Sequence, residues 1–362
     1  MKIMYVLTGL KVAGAECVTT QLATRMLERG HQVCMVSLTG ENMFVLPDGI
    51  ELHNLFMSKT PWGMAKALWQ ARKLVKQFCP DVVHANMVHA VLFSRLLRLL
   101  VKMPLLISSE HNKNIEGKLR MVGYKWTDCL SDVNTNVSEE ALNHFIHCGS
   151  FSAGKSLTMY NGIDYKRFSP SSDSRSALRD EFGFAADDFV FINVARLMPA
   201  KDHFNLLQAF AKVSADHPQA RLLLVGEGEL RAEIETKIVE LGLAGKVVLA
   251  GLRNDVERCY NAADCFVLSS AWEGFGLVIA EAMGCTLPSI ATDCGGTAEV
   301  LQQPQWLCAP KDSDALGGLM NKLIGLSAEE RHSLGENNRK LALKFSMDDI
   351  VLKWEQLYKG VK

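Results

Sequence analysis

The sequence predicts an α/β protein made of two doubly wound parallel sheets in series. Three observations carry this. Short apolar runs alternate with helical patterns along all 362 residues, the rhythm of repeated strand–helix–strand units. The runs are nearly continuous, as in "KIMYVLT" (2–8) and "ARLLLVG" (220–226), which suits strands covered on both faces. The rhythm breaks once, at "YNGIDYKRFSPSSDS" (160–174), and then resumes. That stretch reads as a linker between two Rossmann-like domains.

Each element has its own signal. In the first half, 2–8 is a buried strand. Residues 15–30 form a helix ending in a basic last turn and a glycine, as helix C-termini prefer. Strands follow at 31–38, 81–86 and 104–111, the last two separated by a helix over 88–102. A strand at 132–138 leads to a helix over 139–147, and a strand at 155–160 closes this half. In the second half, strands at 188–195, 220–226, 246–251, 264–270 and 287–292 alternate with helices over 203–215, 229–242, 254–262 and 276–284. Helices over 312–325, 328–343 and 347–359 end the chain.

Composition narrows the function. The net charge of −1 offers no overall attraction to nucleic acid. Residues 1–160 nevertheless carry 17 Lys and Arg against 12 Asp and Glu, while 161–362 carry 22 against 28. The two halves are expected to face different partners. Ten scattered cysteines form no C-x-x-C pair, and the ten histidines form no H-E-x-x-H. The cysteines read as small core residues in a reducing compartment, and neither set has the spacing of metal ligands. Lys11 interrupts the N-terminal apolar run, so no cleaved export signal is expected. No run of 18 apolar residues exists to span a membrane.

In doubly wound sheets, ligands bind beyond the carboxyl ends of the strands, and the distinctive residues fall there. "TGLKVAGAE" brings Gly14 to a helix N-terminus, which is either an anion site or a plain turn. The G-x-G-x-x-G of a dinucleotide site is absent. "NVARLMPAKDH" places Arg196 and Lys201 past a strand end. Two cations there can neutralise a diphosphate, or can form an exposed basic loop. "VGEGEL" is a further strand-end turn at Gly226, with Glu229 expected in the first turn of the next helix. "SSEHN" ends a strand with His111. "EGFGLVIAE" sets Glu273 and Glu281 eight positions apart around the Gly274-Phe275-Gly276 turn and Leu277. That spacing is a little over two helical turns, so both acids can share one side of a turn and helix.

"PWGMAKALWQARKLVKQF" (61–78) mixes Trp62, Ala65, Leu68, Trp69, Leu74, Val75 and Phe78 with Lys66, Arg72, Lys73 and Lys76. "FSRLLRLLVKMP" (93–104) and "KLRMVGYKW" (118–126) add similar material. A basic helix bearing aromatics can lie on an anionic membrane surface, although part of its apolar side must pack on the sheet.

Taken together, "EGFGLVIAEAMGCTLPSIATDCGG", "VARLMPAKDHFNLLQAF", "NGID" and the "AGAE" loop resemble the donor site, phosphate segment, interdomain linker and first-domain loop of retaining family-4 glycosyltransferases. Ala13 stands where that family often has glycine. The resemblance implies a GT-B fold, with two Rossmann-like domains facing each other across a cleft. It implies an acceptor-binding domain over 1–163, a nucleotide-sugar domain over 164–345 and a last helix, 346–362, packing back on the first. Glu281 would hold the donor's ribose, and Glu273 the transferred sugar. Backbone N–H groups at Phe275, Gly276 and Leu277, beside Gly274, would meet sugar and phosphate. Arg196 and Lys201 would hold the diphosphate beside Gly226, Gly14 would let its loop approach the phosphate, and His111 would contact the reacting sugar. No metal and no resident cofactor are expected. The implied reaction moves a hexose or N-acetylhexosamine from a UDP-sugar to a saccharide or polyprenyl-linked acceptor, on the cytoplasmic face of the inner membrane in lipopolysaccharide, O-antigen or capsule assembly. The alternatives are a sugar-nucleotide epimerase and a nucleotide-binding regulatory protein without activity.

Overall fold

The chain in the computed structural model makes two separate parallel sheets, described for all residues except 11–13, 41, 43–44, 114–117 and 361–362. It divides into unit 1, Met1–Gly162 with Asp348–Lys362, and unit 2, Ile163–Met347.

Unit 1 alternates β1 (Lys2–Leu7), α1 (Gly14–Glu28), β2 (Gln32–Ser37), β3 (Ile50–Asn54), α2 (Pro61–Phe78), β4 (Val82–Asn86), α3 (Val88–Arg98), β5 (Leu105–Glu110), α4 (Lys118–Thr127), β6 (Val133–Asn136), α5 (Glu139–His147) and β7 (Ser156–Thr158). The strand order is β3-β2-β1-β4-β5-β6-β7. β1 pairs with β2 in parallel from Lys2–Gln32 to Leu7–Ser37, and with β4 on its other side. Buried Met4, Val6, Val36, Val83, Val91, Phe93, Leu106 and Phe145 form the core between sheet and helices. α2 starts sharply because Thr60 accepts from the Gly63 N–H and Pro61 follows it, a residue preorganised for the first helical position. It buries Ala67, Ala71 and Val75 and leaves Trp62 and Trp69 exposed.

Unit 2 runs α6 (Ser172–Phe182), β8 (Phe189–Val194), α7 (His203–Asp216), β9 (Ala220–Val225), α8 (Arg231–Glu240), β10 (Val247–Gly251), α9 (Val256–Ala262), β11 (Cys265–Leu268), α10 (Leu277–Gly284), β12 (Ser289–Thr292), α11 (Thr297–Leu301), β13 (Leu307–Cys308), α12 (Ser313–Ile324) and α13 (Ala328–Ala342). Its order is β10-β9-β8-β11-β12-β13. α14 (Met347–Tyr358) then packs on the first sheet within unit 1. His84 of β4 stacks on Trp354, 4.5 Å between ring centres, and its Nδ1 lies 2.7 Å from the Tyr358 hydroxyl, which also meets Tyr5. Glu355 pairs with Arg29, His31 and Lys359.

Several expectations are corrected. Part of the linker stretch is helical: α6 begins at Ser172, capped by the Ser171 hydroxyl and closed by Gly183. Glu229 precedes α8, which starts at Arg231, because the β9 loop turns back against the β8 loop first. The helix expected over 88–102 ends at Arg98. Cys79, Cys129 and Cys148 are exposed, since each sits at or just beyond a helix end. Lys11 and Ala13 lie outside the described residues.

Candidate donor-binding site

In unit 2 the chain reverses direction across the sheet between β8 and β11. Such a switch point opens a crevice at the carboxyl ends of the strands. The loop after β8 bridges it. On one side its backbone runs against the loop after β9: the Leu197 N–H donates to the Glu227 carbonyl at 3.0 Å. Gly226, at φ +140°, lies so close that a Cβ there would stand 2.0 Å from the Ala195 carbonyl oxygen. On the other side the Ala271 N–H donates to the Ala200 carbonyl at 2.9 Å, and the Ser269 hydroxyl to the Lys201 carbonyl at 2.9 Å.

This seating brings Lys201 onto Glu273. Lys201 Nζ lies 2.5 Å from Glu273 Oε1, which also accepts from the Ser270 hydroxyl at 2.8 Å. Arg196, on the same loop, is exposed and pairs with no carboxylate among the described residues. Glu273 leads through Gly274, Phe275 and Gly276 to the start of α10 at Leu277, where the first N–H groups of a helix have no partner within it. The turn is braced from β12. The Gly296 N–H donates to the Gly274 carbonyl at 3.1 Å. Gly295, at φ +60°, comes so close that a Cβ would sit 2.0 Å from the Glu273 carbonyl oxygen. About one turn further into α10, Glu281 accepts from the Tyr260 hydroxyl at 2.9 Å. Burial pushes its carboxyl up to about 7, because a desolvated carboxylate is disfavoured.

In unit 1, Gly14 is the exposed first residue of α1, and a Cβ there would meet no atom of the described residues within 4 Å. His111 follows β5 directly and lies in a separate cavity of about 20 Å³, lined also by Thr19, His84, Asn86, Thr135 and Trp354. That is room for one water-sized group, a water or a hydroxyl. The structure thus joins Lys201, Glu273, the 274–277 turn and Glu281 along one edge of the second sheet. It sets His111 and Gly14 at the equivalent edge of the first.

Two family models account for most of the chain: glycosyltransferase family 4 matches residues 12–167, and glycosyl transferases group 1 matches residues 174–341. The chain belongs to the family-4 glycosyltransferases. An uncharacterized glycosyltransferase of Methanocaldococcus jannaschii is 26% identical over 67% of this chain and 63% of its own length. The match therefore spans less than two thirds of that relative. N-acetyl-alpha-D-glucosaminyl L-malate synthase of Bacillus anthracis is 26% identical over 97% of this chain and 94% of its own. UDP-Gal:alpha-D-GlcNAc-diphosphoundecaprenol alpha-1,3-galactosyltransferase of Escherichia coli is 27% identical over 64% of this chain and 62% of its own. Among solved structures, Anabaena HepE in complex with UDP shares the fold at a TM-score of 0.86 and 22% identity, covering 99% of this chain and 100% of that one.

In this family-4 chain, three polar groups near the expected residues were not singled out from sequence: Ser270 on Glu273, Tyr260 on Glu281 and Asn86 on His111. Ser270 and Asn86 were within reach of the rule that located the others, because each sits at or just past a strand's carboxyl end. Tyr260 lies mid-helix on α9, and no local signal marks it.

Proposed function

We propose that this protein transfers a hexose or N-acetylhexosamine from a UDP-sugar to a lipid-linked saccharide, with retained anomeric configuration, in bacterial surface-polysaccharide assembly. The observation that carries the reading is the Lys201–Glu273 pair at the switch point of unit 2, beside the start of α10 and Glu281. Breaking the sugar–phosphate bond puts negative charge on the diphosphate and positive charge on the sugar. Lys201, with Arg196, supplies the first with fixed cations, and the α10 amides supply donors. Glu273, released from Lys201 as the diphosphate takes that cation, holds the sugar hydroxyls. Glu281 accepts from the ribose. Unit 1 binds the acceptor and contributes His111. The leaving group needs no bound metal in this scheme. The donor class and lipid-linked acceptor are supported by the names of the relatives above.

The donor assignment is tested by thermal shift with UDP, GDP and ADP over a range of pH. A ligand at a hundred times its dissociation constant adds about 2.7 kcal/mol of stability, and UDP is expected to give the largest shift. Glu281 adds a sign. A raised carboxyl is protonated below its folded value of about 7, and must ionise to accept two ribose hydroxyls. UDP affinity therefore rises from about pH 6 to about pH 8, by up to about tenfold per unit below the raised value. In Glu281→Gln only the titration of UDP's own phosphate remains. An equal pH response in the two proteins would remove Glu281 from ribose binding.

We also propose that unit 1 docks on an anionic bilayer. From Leu52 to Ser109 the sequence contains eight Lys and Arg and a single acid, Asp81. α2 and α3 lie side by side, with the Arg72 guanidinium donating to the Leu100 carbonyl, and α4 packs on α3. On this layer Trp62, Trp69, Leu99, Leu119 and Trp126 are exposed. No described helix is long and apolar enough to cross a membrane. Basic and aromatic side chains together suit the headgroup region of anionic lipid. The protein should sediment with phosphatidylglycerol vesicles at low salt and be released as salt screens the charges. Equal recovery in the supernatant with and without vesicles would exclude the docking.

A further inference from the structure

His111 and Asn86 form a pair whose chemistry is decided by a third group. Asn86 ends β4 and His111 follows β5, its neighbour in the sheet. The Asn86 side-chain amide donates from Nδ2 to the His84 carbonyl at 3.2 Å. A backbone carbonyl can only accept, so this bond turns the amide oxygen toward His111. Asn86 Oδ1 lies 3.1 Å from His111 Nε2. An amide oxygen likewise can only accept, so Nε2 carries the hydrogen. His111 Nδ1 is then left as a bare lone pair. It is buried and has no protein partner.

Burial holds the ring neutral by pushing its titration down to about 4. The other titratable groups lining the cavity are His84 on β4 and Glu110 on β5. His84 is committed to Ser109 and Tyr358, and Glu110 to the Tyr124 hydroxyl.

We propose that Asn86 is a positioning residue: it fixes His111 in the Nε2–H tautomer, so that Nδ1 accepts a hydrogen bond from a sugar hydroxyl rather than meeting phosphate as a cation. This rests on the proposed part of His111 in the transfer and sharpens it. A neutral imidazole with this orientation has an acceptor to offer and no positive charge.

The test uses the full chain labelled with ¹⁵N-histidine, in which imidazole shifts report the tautomer directly, alongside the pH profile of transfer. Wild type should show His111 as the Nε2–H form across the neutral range. Asn86→Leu should lose that preference and lose at least about tenfold in kcat/KM. Asn86→Asp keeps an acceptor on Nε2 and should keep the tautomer. Its charge raises the His111 titration, so activity should recover at high pH and fall earlier on the acid side than in wild type. A merely structural asparagine would move neither the tautomer nor the acid limb. Persistence of the Nε2–H form in Asn86→Leu would overturn the assignment. His111→Ala separates the underlying reading: full activity there would remove His111 from the transfer, whatever the tautomer result.

Discussion

Replacing Lys201 by methionine is expected to lower kcat and kcat/KM together by about a hundred- to a thousandfold. Methionine keeps most of the aliphatic stem and deletes the charge. In the structure that charge sits on Glu273 at 2.5 Å, held there by the contacts of the β8 loop with Ser269 and Ala271. The lost stabilisation is of the leaving diphosphate, which is greatest in the transition state, so the loss falls on kcat. Lys201→Arg should recover little, because a planar fork does not replace a compact ammonium on a short loop. Lys237→Met is the control, since among the described residues Lys237 pairs with Glu240 alone, on the outer side of α8. Steady-state transfer from labelled UDP-sugar measures all three. An unchanged kcat in Lys201→Met would remove the pair from the reaction.

Arg95→Ala is expected to cost unit 1 about 3–5 kcal/mol, the range for breaking a buried charged network. Arg95 is fully buried on α3. Its guanidinium donates to the Ser108 and Ser131 hydroxyls, to the Tyr124 carbonyl at 3.0 Å and to Asn134 Oδ1 at 2.9 Å. It also lies 4.9 Å from the centre of the Tyr124 ring and 3.6 Å from Asp128. One side chain thus ties α3 to α4, β5 and β6. Alanine leaves a cavity and strips several buried acceptors of their donor. Arg95→Lys keeps the charge but lacks the fork and should rescue only part. Amide exchange distinguishes a local from a general effect: β5 and β6 should exchange faster while β8 and β9 keep their rates. Unchanged exchange in β5 would show that the network contributes nothing.

The α/β class and most elements were legible because buried parallel strands are continuous apolar runs with few competing explanations. The elements that escaped are those without such a run. β3 reads "IELHN", and only Ile50 in it is buried, as befits an edge strand. β13 has two residues. α6 is mostly polar and follows a run of serines around Pro170, where turn chemistry masks the Ser171 cap. Among the site residues, the charged ones past strand ends stood out, and the structure places Lys201 on Glu273. The pairing itself was not legible. It depends on the β8 and β11 loops meeting across 72 residues of sequence, which no local pattern encodes. Nor could sequence show that Glu281 would be desolvated against Tyr260.

α14 has a bearing on how the chain is made. Tyr5 and Tyr358 touch across 353 positions. The His84 imidazole in β4 therefore waits for Trp354 and Tyr358 until the second unit has been synthesised. At an elongation rate of about 5–20 residues per second, the roughly 200 residues between β7 and the end of α14 leave the first sheet partly uncovered on the ribosome for roughly 10–40 s. The second sheet is synthesised meanwhile. The earlier half of the molecule is thus the later one to finish folding.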